Sequence, residues 1–161
     1  EIMKIKFLIL GLLFTSFAFS QTHEILKHNG EKIDVNYIKQ DNDLIYYSLN
    51  GSQEQFTISK YAVSSLKEKA SSKSESISPK IVVADKKDYG LVKVLKPSQT
   101  IGLKEVETFS GLSTKTKGES PLALKEHTER RIKTKSADNG YPFVAIVEKS
   151  DGKYQAIAYV Y

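Results

Sequence analysis

Turn dipeptides cut the front of this chain into pieces that short strands fit. Ile25-Leu26 and the alternating Ile33, Val35 and Tyr37 flank Asn29-Gly30, and Asp41-Asn42 separates Tyr37-Ile38 from Leu44-Ile45-Tyr46-Tyr47. Asn50-Gly51 turns the chain again before Phe56-Thr57-Ile58. Asn-Gly favours a tight hairpin because both residues tolerate the positive φ that such a turn requires. Ser59-Lys60-Tyr61-Ala62 has room for one tight helical turn ahead of a last strand, Val63 to Leu66. Five short strands so punctuated predict a small antiparallel β-module over residues 21–67, a bent sheet or barrel. Its length of about 45 residues lies near the lower limit for independent folding, so it is expected to lean on something else.

Residues 68–80 break the pattern with serine, lysine and glutamate, and Pro79 closes the stretch. So little apolar surface cannot offset ordering entropy, which predicts a linker or surface-hugging connection. A second module follows over residues 81–161, with extended stretches at Ile81-Val82-Val83, Leu91 to Leu95 and Ile101 to Leu112. Ser120-Pro121 is a helix start, a hydroxyl cap followed by proline where its missing N–H costs nothing. Leu124, Thr128 and Ile132 then recur every four residues with Ala137 beyond, and Asn139-Gly140 is a left-handed stop. The helix is expected over about residues 121–138.

A C-terminal hairpin is expected over residues 143–161, turning at Asp151-Gly152. That centre would put Val147 opposite Ala156, Ala145 opposite Ala158 and Phe143 opposite Val160, a face with small residues in the middle. The other face would carry Val144, Ile146, Ile157, Tyr159 and Tyr161, and it too is apolar. An antiparallel sheet with one wet side does not read this way. These five residues are therefore the candidate interface, covered by the first module or by another copy of the chain. The fold class expected is α+β: a small antiparallel β-module, then an antiparallel sheet packed by one long helix.

The chain's beginning bears on location. Met3-Lys4-Ile5-Lys6 is a short basic start, Phe7 to Phe19 is uncharged and apolar, and Ala18-Phe19-Ser20 places small residues at a peptidase site before Gln21. This layout predicts a secretory signal peptide over residues 1–20, with Met3 the start of translation. Its apolar run falls short of the roughly 20 residues of a spanning helix, and no cysteine follows it for lipid attachment. The mature chain is expected to be periplasmic or secreted, without a stable membrane anchor. Its net charge falls from +5 to +4 when Glu1, Lys4 and Lys6 are removed. That is mild basicity, and export argues against nucleic acid as a partner. With no cysteine, disulfides, thiolate metal sites and thiol catalysis are excluded.

The segment Gly102-Leu103-Lys104-Glu105-Val106-Glu107-Thr108-Phe109-Ser110-Gly111 precedes a helix ending Ala137-Asp138-Asn139-Gly140, then Phe143-Val144-Ala145-Ile146-Val147 and Ala156-Ile157-Ala158-Tyr159. That order over roughly residues 90–161 resembles the YbjQ-like superfamily of heavy-metal-binding domains and the related domain of Rcs-type envelope stress lipoproteins. The resemblance implies a helix packed on an antiparallel sheet, and rings in some members. Gly140-Tyr141-Pro142 stands where that family has Gly-Ala-Asn, and the lipoprotein cysteines are absent. Asn29-Gly30-Glu31-Lys32-Ile33, with Ile58-Ser59-Lys60-Tyr61-Ala62-Val63-Ser64-Ser65-Leu66, resembles a small β-module of exported Bacteroidetes proteins.

Candidate chemistry is sparse. His23 and His28 lie five apart on an expected strand, where a zincin pair needs a four-residue step on a helix. His127 stands alone on a charged helix, so no metal or cofactor is expected. Arg130, Arg131, Lys133 and Lys135, joined by Lys115, Lys117 and Lys125, form a candidate anion-binding set for polysaccharide or lipopolysaccharide. The plainer reading, a solvated helix face laced with Glu126 and Glu129, takes precedence. Tyr37, Tyr46, Tyr47, Tyr61 and Tyr154 could stack on a ligand but fit half-buried sheet positions better. No Ser/His/Asp spacing, phosphate loop or carboxylate pair stands out, which argues against an enzyme. The expectation is a non-enzymatic exported envelope protein acting through protein or polymer contacts, with a homo-oligomer or an envelope protein as partner.

Overall fold

A computed structural model of the chain describes residues 22–110, 120–148 and 154–161. The signal-peptide residues, Lys115, Lys117 and the Asp151-Gly152 turn lie outside them. Two sheets and one long helix make an α+β fold. The first sheet has six strands: β1 (His23–Lys27), β2 (Lys32–Asp41), β3 (Leu44–Ser48), β4 (Gln55–Ser59), β5 (Val63–Glu68) and β6 (Ser74–Ser76). Their order is β4-β3-β2-β1-β5-β6, antiparallel throughout, so the sheet is bent but open and not a closed barrel.

The bend comes from β2, which pairs β1 with its first half and β3 with its second. The β2–β3 register shifts between Tyr37 and Lys39, leaving Ile38 as the bulged residue, 47% exposed despite its apolar side chain. Ile25, Val35, Ile45, Ile58, Ala62, Val63 and Leu66 fill the resulting core. Ser59 caps a 3-10 turn, Lys60–Ala62, its hydroxyl accepting from the Tyr61 N–H. Within the expected connection of residues 68–80, Ser74–Ser76 pairs with β5 through backbone alone, which composition does not reveal.

The second sheet comprises β7 (Lys93–Leu95), β8 (Lys104–Phe109), β9 (Phe143–Glu148) and β10 (Tyr154–Val160), in the order β7-β9-β10-β8. It is mixed: β7 runs parallel to β9, correcting the all-antiparallel expectation for this sheet. The crossover between them holds α1 (Pro121–Asp138), whose N-cap Ser120 accepts from the Ala123 N–H. Gly140, at φ +74°, closes the helix, and the Tyr141 N–H returns to the Ser136 carbonyl. Ile81 and Val82 form no strand, although Val83 is buried in the second core.

The hairpin register differs by one residue from that expected. Val147 pairs Gln155, Ile146 pairs Ala156, Ala145 pairs Ile157, Val144 pairs Ala158 and Phe143 pairs Tyr159. Because side chains alternate, this slip moves one strand's residues to the other face. Val144, Ile146, Ala156 and Ala158 now pack together with Phe109 and with Ile132 of α1. Phe143, Ala145, Ile157 and Tyr159 share the opposite face. The candidate interface is therefore divided: Val144 and Ile146 face the helix, while Ile157, Tyr159 and Tyr161 do not.

Phe143 is fully buried where that second face meets the first module, its ring 5.9 Å from Tyr61 and edge-on to Tyr161 at 5.2 Å. The modules also meet through backbone, since the Ser59 N–H donates to the Ile101 carbonyl at 2.9 Å. Leu103 packs against the first core, and Gln99 donates to the Asp43 carboxylate from across the seam. The same carboxylate pairs with Lys60, whose hydrogen bond holds it below the ordinary carboxylate range. The small β-module thus rests on the second sheet.

Candidate functional site

Two places gather polar side chains: the outer face of α1 and the seam. On α1, His127, Arg130, Arg131, Thr134, Lys135 and Asp138 line a groove of about 500 Å³. Steps of three and four bring these positions onto one helix face, away from the buried Thr128, Ile132 and Ser136. Arg130 lies 5.4 Å over the Tyr89 ring, on the 3-10 segment Lys86–Leu91. That cation–π contact orients the guanidinium without neutralising it. The Thr134 hydroxyl donates to the Arg130 carbonyl at 2.8 Å.

The four candidate cations divide. Lys133 points off the groove and pairs with Glu129 at 3.0 Å. Lys135 lies 4.4 Å over the Phe109 ring and 3.9 Å from the Glu107 carboxylate. Among the described residues Arg130 and Arg131 form no ion pair, so their charge is available to a ligand. Sequence spacing grouped all four because they follow closely along the chain; helical phase separates Lys133. Thr134 and Asp138 in the groove, and Tyr89 beneath Arg130, carry no separate signal in the sequence.

At the seam, His28 follows β1 and packs against Tyr161, ring centroids 4.6 Å apart and tilted at 56°. Its Nε2 lies 2.9 Å from the Ser78 hydroxyl, which lies 2.9 Å from the Val63 carbonyl. A carbonyl only accepts, so Ser78 spends its proton on Val63 and accepts from the His28 Nε2–H. This histidine is a donor here and not a base to Ser78, so the pair is not arranged as a nucleophile and its activator. Tyr161 in turn accepts from the Ile81 N–H at 2.6 Å. His23 of β1, by contrast, meets Tyr37 of β2 with tilted rings 5.1 Å apart. Among the described residues no three His, Asp or Glu side chains converge as a metal site.

The tyrosines serve several contacts. Tyr37 and Tyr47 pack partly buried against the first core, and Tyr47 stacks on Phe56 at 5.9 Å. Lys39 sits 4.9 Å over Tyr46, and Tyr61 meets Phe143 at the seam. The Tyr154 side chain lies outside the described residues.

Burial, and secondarily the Lys80 charge, lower the His28 pKa from its ordinary 6.5. The folded state then favours neutral imidazole, and the unfolded chain takes up the proton first. Stability from this site is full above pH 6.5 and falls as pH drops through the lowered folded value. Denaturant midpoints between pH 7.5 and 5 are expected to decline, and His28→Gln should flatten that decline. Asp43 and Glu31, both with lowered pKa, respond only in the more acidic carboxylate range. An unchanged slope in the variant would remove His28 from the account.

Comparison of the chain with family models, with curated proteins and with solved structures finds no match. No helix among the described residues is long and apolar enough to cross a membrane.

Proposed function

We propose that this is a non-enzymatic exported envelope protein that acts through contact, and that its partner at α1 is an anionic envelope polymer, an acidic polysaccharide or lipopolysaccharide. The observation that carries the reading is the groove of about 500 Å³ in which Arg130, Arg131 and Lys135 share one face. Among the described residues Arg130 and Arg131 on this face form no ion pair, Lys135 lies 3.9 Å from the Glu107 carboxylate, and Asp138 also lines the groove. Flat charge on a solvated helix attracts polymers weakly, whereas a concave site brings several cations onto one anionic group. Arg130 held against Tyr89 is also partly preorganised, which reduces the entropy lost on binding. The basic start and apolar run of residues 1–20 support export, and the resemblance of residues 90–161 to envelope domains points the same way. At Ser78, the hydroxyl bonded to Val63 supports a structural role over hydrolysis.

Retention on immobilised lipopolysaccharide or acidic polysaccharide, eluted with a salt gradient, tests this. Replacing Arg130, Arg131 and Lys135 together with glutamine should abolish salt-sensitive retention. Lys133→Gln, which removes a cation already paired with Glu129, should change it little. Equal losses in both variants would mean that net charge alone is read, and unchanged retention in the triple variant would sink the proposal.

A further inference from the structure

Among the described residues, the outer edge of β4 is left open in a way the other sheet edges are not. Lys60 donates its N–H to the Asp43 carbonyl, so the pairs Asp43–Lys60, Ile45–Ile58 and Tyr47–Phe56 carry the inward bonds of this ladder. Ser59, Thr57 and Gln55 alternate with them and direct N–H and C=O outward. The Ser59 N–H meets Ile101, as that alternation requires. Gln55 and Thr57 have no such partner among the described residues.

Sheet edges are ordinarily guarded by charge, shortness or a bulge. Here β6 spans three residues with Glu75 central, and β7 is equally short with Lys93. The outer strand β8 carries Lys104, Glu105 and Glu107, and its ladder is bulged between Ala158 and Tyr159. In β4 the residues are Gln-Phe-Thr-Ile-Ser, uncharged, and paired to β3 without a register shift.

The geometry points to a second copy of this chain as the occupant, its β4 antiparallel to the first across a two-fold axis at Phe56. Gln55 of each copy then lies opposite Thr57 of the other, and the N–H and C=O groups of both residues are satisfied. Phe56 meets its own counterpart, and the Tyr47–Phe56 stack, with rings 5.9 Å apart, continues into that of the second copy. Pairing stops at Ser59 because Ile101 already occupies the next position. A free peptide fits less well. Ordering its backbone costs more per residue than a backbone hydrogen bond returns, whereas a folded β4 is already extended. Closed two-fold pairing also uses the same surface twice. This edge is separate from the α1 groove and does not depend on what binds there.

Sedimentation of the purified protein over a range of concentrations should show a monomer–dimer equilibrium. Thr57→Pro removes an outward N–H and no ladder bond, so circular dichroism should be kept while dimer dissociation rises on the order of tenfold or more. Phe56→Cys supplies a second test in a chain without cysteine. A wide antiparallel pair sets Cα atoms about 4.5 Å apart, within disulfide reach, so this variant should form a covalent dimer on mild oxidation. Leu49→Cys, exposed but off the axis, should not. A monomer at every concentration overturns the proposal, as does a dimer that keeps its affinity with Thr57→Pro. If Thr57→Pro fails to fold, the cysteine pair decides: cross-linking at position 56 alone supports the two-fold, and equal or absent cross-linking overturns it.

Discussion

Phe143→Ala is expected to destabilise the protein by about 3–5 kcal/mol, the usual cost of emptying a phenylalanine site that cannot collapse. The ring is fully buried and stands between modules, with Tyr61 on one side and Tyr161 on the other. Tyr161 continues the row to His28, so one side chain holds several contacts of the seam. β9 cannot relax into the space easily, because it is paired on both edges, by β7 and β10. A melting temperature lower by about 10 °C or more is therefore expected for a chain of this length. The loss should also appear in the first module, which rests on this seam. Amide exchange in β1 and β5 should rise together with that in β9. Accelerated exchange confined to the second sheet would show that the small module holds its fold without the seam.

What sequence could reveal follows from the range of the forces involved. Asn29-Gly30, Ser120-Pro121 and Asn139-Gly140 act through their own backbone and neighbours, so the first hairpin and both helix ends were legible. The C-terminal register was not, because it rests on a loop length and on which face Ile132 and Phe109 fill. A one-residue slip leaves two apolar faces in either register, so hydrophobic pattern alone does not choose between them. The parallel β7–β9 pair is equally hidden, being set by a crossover and not by a turn. At the candidate site, the cations of α1 were visible as a run, but only helical phase divides Arg130 and Arg131 from Lys133. Tyr89 reaches Arg130 from a distant stretch of chain, and His28 reaches Ser78 and Tyr161 in the same way.

Gly102→Ala tests the seam from its other side, and its expected cost is roughly 3 kcal/mol from two separate sources. Gly102 has φ +89°, a region where any side chain other than glycine's is strained. A Cβ added there would also stand 2.6 Å from Ile58 Cγ1, 2.9 Å from Ile58 Cδ1 and 3.3 Å from Ala62 Cβ. Ile58 is a nearly buried core residue with a stiff, branched side chain, so it has little room to yield. The position is fixed further by Ile101, whose carbonyl accepts from Ser59, and by Leu103, which packs into the first core. Gly30 provides the control, with φ +90° and nothing within 4 Å of its added Cβ. Gly30→Ala should show the backbone cost alone, about 1–2 kcal/mol. Urea midpoints of the two variants separate the sources: a larger loss at Gly102 measures the close approach of the modules. Equal losses would mean that Ile58 turns aside freely and that the seam tolerates a looser fit. A second substitution then distinguishes rigidity from space, since Ile58→Ala removes both Cγ1 and Cδ1, the atoms that the new Cβ would meet. If crowding is the cause, the double variant should recover part of the loss at Gly102, whereas a purely backbone cost would leave the two effects additive.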